Sequence, residues 1–160
     1  MRARGLGLLL AAALACGVRP AWADATAFIG ASTTPANRQT RGLALGVGLL
    51  IVGIEGEYAV TSDDPAAGAP SLKMGSGSVL LQTPGEIFGV QPYFITGVGL
   101  YHESLAAHSE TGVVLDTGGG VKIGLVGPIR VRIDYRVLRL GSGALYSPAH
   151  RVYAGLNLKF

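Results

Sequence analysis

The chain has 160 residues, of which 49% are apolar and only 14% charged, with 25 glycines. That length holds one domain, and so few charges with so many glycines exclude a disordered tail or a coiled coil. The formal charge of +3 comes from the first 23 residues, where Arg2, Arg4 and Arg19 meet no acid; removing those three leaves 10 Lys and Arg against 10 Asp and Glu, so no nucleic-acid footprint remains.

Residues 1–23 read as a secretory signal. Arg2 and Arg4 precede the apolar run Leu6 to Ala15, and Ala21-Trp22-Ala23 predicts cleavage before Asp24. The run is too short to span a bilayer as a helix, which takes about 20 residues. Cys16, the single cysteine, leaves with the leader. Ala13-Leu14-Ala15-Cys16 loosely matches a lipoprotein processing site, with Ala where Leu is usual.

From residue 24 onward the signal is alternation, in segments at regular spacing. Ala25 to Ser32 is a short first strand. Leu43 to Ile51 sets Leu43, Leu45, Val47, Leu49 and Ile51 against Ala44, Gly46 and Gly48. Ile54 to Val60 sets Ile54, Tyr58 and Val60 against Glu55 and Glu57. Leu72 to Gln82 is interrupted by Gly75 to Ser78, which leaves its facing open. Pro92 to Tyr101 lines up Phe94, Thr96, Val98 and Leu100. Val113 to Leu125 opposes Val113, Leu115, Val121, Ile123 and Leu125 to Asp116, Gly118, Gly120, Lys122 and Gly124. Ile129 to Val137 places Arg130, Arg132, Asp134 and Arg136 on one face; a helix would scatter them. Arg151 to Phe160 closes the series with Val152, Ala154, Leu156, Leu158 and Phe160 on one face.

These eight segments predict an all-β, antiparallel up-and-down barrel in residues 24–160. Ser32–Thr40, Thr61–Ser71, His102–Thr111 and Gly141–Ala149 read as longer polar loops, and Val52-Gly53, Thr83-Pro84-Gly85 and Val126-Gly127-Pro128 as short turns. Long loops at one end and short turns at the other fit a transmembrane barrel. Alternation alone does not say which face is inside. The charged faces are rich in glycine, which suits a narrow eight-stranded interior. Their charges are of both signs, and the chain carries an export signal. These features point the charges inward and the apolar faces to lipid, where a sheet must close to satisfy its edges.

The leader, the eight strands and the terminal segment Arg151 to Phe160 together resemble the porin-like, OmpA-type small barrels of the outer-membrane β-barrel domain family. Gly53-Ile54-Glu55-Gly56-Glu57-Tyr58 and Arg130 to Arg136 are also similar to that family's strands. The resemblance implies export by the general secretory route, periplasmic chaperones, and residence in outer-membrane lipid of a bacterium. It also implies that the last strand, through Val152, Leu156, Leu158 and Phe160, is the signal read by the barrel-assembly machinery. Aromatic residues are only 7% of the chain, so the girdles expected of such barrels are thin, carried by Tyr58, Phe88, Phe94, Tyr135 and Phe160.

No enzymatic motif is evident, and no cofactor or metal is expected. Gly97-Val98-Gly99 and Gly118-Gly119-Gly120 have no following helix to hold an anion. Asp63-Asp64 lacks the further oxygen ligands of a calcium site. His102-Glu103-Ser104 has the composition of a nucleophile, a base and a carboxylate, and some lipid A deacylases carry His-x-Ser on a lipid-facing strand. Here the triplet and the nearby His108-Ser109-Glu110 fall in an expected loop. The candidate functional feature is the inward charge set of Glu55, Glu57, Asp116, Lys122, Arg130, Arg132, Asp134, Arg136 and Lys159. The preferred reading is a non-enzymatic structural or loop-display (adhesion) barrel plugged by its own side chains, with an unidentified loop ligand. The alternatives are a narrow porin for small solutes, a lipid-modifying barrel enzyme, and a soluble periplasmic lipocalin-like barrel with its charged faces outward.

Overall fold

Strands with one apolar face bury their backbone edges in hydrocarbon only by closing into a ring, and this chain closes. The computed structural model describes residues 22–160. Its strands are β1 (Trp22–Ser32), β2 (Arg38–Leu49), β3 (Val52–Thr61), β4 (Ser71–Gln82), β5 (Val90–Leu105), β6 (His108–Val126), β7 (Ile129–Leu140) and β8 (Ala149–Lys159). They form a closed antiparallel barrel in sequence order, with β1 paired to both β2 and β8. No helix among the described residues is long and apolar enough to cross a membrane. The expected leader lies outside the described residues, Cys16 included, except for Trp22 and Ala23, which open β1.

The register fixes the shape of the ring. From Arg41 the pairing runs through Val60, Lys73 and His102 to Thr111 on β6. In the other direction it runs through Ile29, Ala154 and Ile133 to Val121, ten residues further along the same strand. A stagger of that size on eight strands tilts them by about 40° and leaves an interior filled by side chains.

Three local expectations are corrected. The turn between β2 and β3 is Leu50–Ile51, not Val52-Gly53, which already pair with Leu49 and Gly48. The β4–β5 connection runs from Thr83 to Gly89, longer than Thr83-Pro84-Gly85. The segment His102–Thr111 is no loop. β5 and β6 continue to a two-residue turn at Ala106–Ala107, with Leu105 opposite His108. Leu50 and Ala106 supply the positive φ of these tight turns (52° and 50°), a position where Gly or Asn is the usual signal, so neither turn announces itself in sequence.

The faces sort sharply. Outward positions form a continuous apolar wall in which Leu43, Leu45, Ile54, Val98, Leu100 and Leu156 are each more than half exposed. The wall stands roughly 20–25 Å tall by strand rise and tilt. β4, left open by sequence, turns Leu72, Met74, Ser78 and Leu80 inward and Lys73, Val79 and Leu81 outward. The five expected girdle aromatics are all exposed: Tyr58, Phe88, Phe94, Tyr135 and Phe160. Val152, Leu156, Leu158 and Phe160 also face outward and are exposed. A soluble barrel with its charged faces in water is overturned: the charged faces of β3, β6 and β7 line the lumen.

Candidate functional site

The lumen is built in layers, and its centre is ionic. Arg132 and Arg136 project from β7, four residues apart on one face, into the space between β3, β5 and β6. Arg132 reaches across the barrel to Glu55, donating from Nη1 at 2.5 Å and from Nη2 at 3.0 Å, and also donates to Asp134 at 2.9 Å. Arg136 donates to Asp116 at 2.5 Å and to Asp134 at 2.7 Å, and lies 3.4 Å from Glu55 and 3.5 Å from Glu57. Arg151 on β8 pairs with Glu57. All seven side chains are essentially buried. Buried charge is costly unless it is paired and its remaining hydrogen-bonding capacity is met. Tyr93 and Tyr153 help meet that requirement: both donate to Asp134, and Arg132 Nε donates to the Tyr93 hydroxyl at 2.6 Å.

Glycine makes this centre possible. A Cβ on Gly118 would come within 2.8 Å of Arg136 Cδ, and one on Gly120 within 2.6 Å of the Tyr93 hydroxyl. Those two positions are vacant where the long side chains cross.

Toward the turn end a second layer follows. Lys122 and Arg130 share Asp24, at 2.6 and 3.4 Å. Arg130 also donates to Asn157 at 2.9 Å and Gln91 at 3.1 Å. Beyond it opens a vestibule of about 410 Å³ lined by Trp22, Gln82, Glu86, Gln91 and Lys159. Lys159 therefore stands at the mouth, apart from the central charges, and makes no ion pair among the described residues; its ammonium lies over the Trp22 ring.

Toward the loop end the lumen becomes apolar. Leu72, Met74, Tyr101, Val114, Leu138, Leu140 and Ala149 pack into one layer across it. Above them Arg38 donates to the carbonyls of Pro70 and Thr34. Glu103 accepts from His108 Nε2 at 3.0 Å and from the Leu145 amide at 2.8 Å. Loop segments from three connections are thus fastened over the apolar layer.

Sequence reasoning missed Asp24, Arg151, Tyr93 and Tyr153. Arg151 and Tyr153 lie on the inward face of an alternation already visible, so the signal was there. Asp24 sits at the expected leader boundary, and Tyr93 lies beside Phe94 with nothing in the sequence to single it out.

The His102 triplet does not assemble a reaction centre. His102 and Ser104 share the outward face of β5, whereas Glu103 points into the barrel. His102 Nδ1 is bonded to Thr111 at 2.8 Å, and Ser104 to Ser71 at 2.9 Å. Glu110 lies on the lumen-side face of β6. Asp64 caps the short 3-10 turn Pro65–Ala67, accepting from the Ala67 amide, and no cluster of potential metal ligands occurs among the described residues.

An eight-stranded closed barrel that is apolar outside and ionic inside has the fold of the OmpA-type small outer-membrane barrels. No protein-family model matches the chain, and no curated protein matches it in sequence. Among solved structures it is similar to the N-terminal β-barrel domain of Pseudomonas aeruginosa OprF (TM-score 0.67, 16% identity, 87% of this chain and 97% of that one). It is likewise similar to Neisserial surface protein A, NspA (TM-score 0.64, 16% identity, 88% and 96%), and to the outer membrane enzyme PagL (TM-score 0.52, 16% identity, 86% and 98%). At that identity the likeness is one of fold, and the fold hosts an enzyme in one of the three.

Proposed function

We propose that this chain is a non-enzymatic barrel of the bacterial outer membrane with a closed lumen, serving a structural or loop-display role. The observation that carries the reading is the lumen itself. Three arginines and four carboxylates pair with one another at its centre, and an apolar layer roofs them. An eight-stranded interior has just enough room for its own side chains, and here that room is used. The apolar wall supports placement in outer-membrane lipid, with the loop end outward and both termini periplasmic. Residues 1–23 act as the export signal for the general secretory route. The outward face of β8, ending on Phe160, serves as the signal for the barrel-assembly machinery after delivery by periplasmic chaperones. The separation of Glu103 from His102 and Ser104 argues against a lipid-modifying enzyme.

Planar-bilayer recording of the refolded protein tests the closed lumen. Current indistinguishable from the bare bilayer is expected. Steady unitary conductance would establish the narrow porin instead.

A further inference from the structure

On the described strands, outward-facing charge has a single sign. Arg41 on β2, Lys73 on β4 and Arg139 on β7 face outward and are exposed. Every carboxylate on a described strand, from Asp24 on β1 to Asp134 on β7, lies on the lumen-side face. None of the three cations has an ion-pair partner among the described residues.

The register brings them to one level. Arg41 connects through Val60 to Lys73. In the other direction it connects through Ile29 and Ala154 to Ile133, six residues below Arg139 on β7. With this tilt the three lie within roughly 6 Å of one another along the barrel axis. That level is the loop-side edge of the apolar wall, just above Leu43, Tyr58 and Val137. The opposite edge, at Leu49, Val52, Ile129 and Phe160, carries no outward charge on a strand.

We propose that Arg41, Lys73 and Arg139 form a belt that binds the phosphate groups of a phosphorylated glycolipid in the outer leaflet. The inference rests on the membrane placement and orientation proposed above. A cation at the edge of hydrocarbon needs an anion or water, and a headgroup phosphate supplies the anion at that depth. A soluble polyanion fits less well. It would meet the loop tips first, where the charged pair is Asp63-Asp64, whereas the cations sit on the wall between apolar neighbours. Absence of outward carboxylates removes the repulsion that would otherwise oppose phosphates packed around the ring.

The test is native mass spectrometry of the protein refolded in mixed micelles holding equal amounts of bis-phosphorylated lipid A and phosphatidylcholine. Preferential retention of lipid A is expected. Combining Arg41→Gln, Lys73→Gln and Arg139→Gln should cut that preference roughly tenfold or more, and dephosphorylated lipid A should be retained no better than phosphatidylcholine. Unchanged preference in the triple variant, or equal retention of dephosphorylated lipid A, would overturn the belt. Mobility of unboiled protein in SDS gels is read alongside. A heat-dependent shift in both proteins shows that the barrel has closed, so a lost preference then belongs to the cations. A parent protein that shows no shift and stays soluble without detergent would overturn the membrane placement itself.

Discussion

Adjacent residues of β7 live under opposite rules. Arg132 is fully buried, while Ile133 beside it is 45% exposed; in a water-soluble barrel the two would trade places. The wall asks only that a side chain be apolar, and Leu, Ile, Val and Ala recur there without a fixed partner. The lumen asks for particular partners at particular heights, since each buried charge needs its counter-charge. One face is therefore specified by solvent and the other by pairing.

That contrast can be broken most severely from the inside. Arg136→Met removes one cation from contact with Asp116, Asp134, Glu55 and Glu57 and leaves carboxylates uncompensated. A loss of about 3–5 kcal/mol is expected, read as a lowered urea midpoint in micelles; parent-like unfolding would mean that the network contributes nothing to stability. From the outside, Leu45→Arg puts a charge near the middle of the apolar wall and should cost about 2–4 kcal/mol in a bilayer. The same substitution in a short-chain detergent, where the arginine reaches water, should cost clearly less, and equal losses in both media would count against lipid contact there. The smallest change expected is a gain. Ala106 holds a positive φ at the tip of the β5–β6 hairpin, and Ala106→Gly should stabilise by about 1 kcal/mol on thermal unfolding, by relieving that strain.

Much of the barrel was legible in the sequence because a strand has a period of two and the chain repeats it eight times. Arg130, Arg132, Asp134 and Arg136 announced β7, and Val152 to Phe160 announced β8. The hairpin tip was not legible: His102 to Thr111 is polar, and polar residues read as loop. There β5 and β6 extend beyond the apolar wall, where the proposed placement puts their outward side chains in water rather than lipid, and the hydrophobic half of the alternation disappears. The turn at Leu50–Ile51 was hidden for a related reason, since both residues are apolar and neither is Gly or Asn.

The candidate site was legible as a set of side chains and not as a set of pairs. Alternation gathered Glu55, Glu57, Asp116, Asp134 and the β7 arginines onto common faces, because facing depends only on position along one strand. Their partners depend on where other strands stand in the ring. Arg132 meets Glu55 on β3 across the lumen, and Arg151 meets Glu57, at sequence separations of 77 and 94 residues. Lys159 shares the inward parity yet falls at the mouth, because the stagger of the closed sheet sets its height. Sequence by itself determined strand number, facing and composition, which are local properties of the chain. Closure and stagger decided which charges neutralise one another, which apolar layer seals them and which cations share a rim, because those relations exist only after the first strand has met the last.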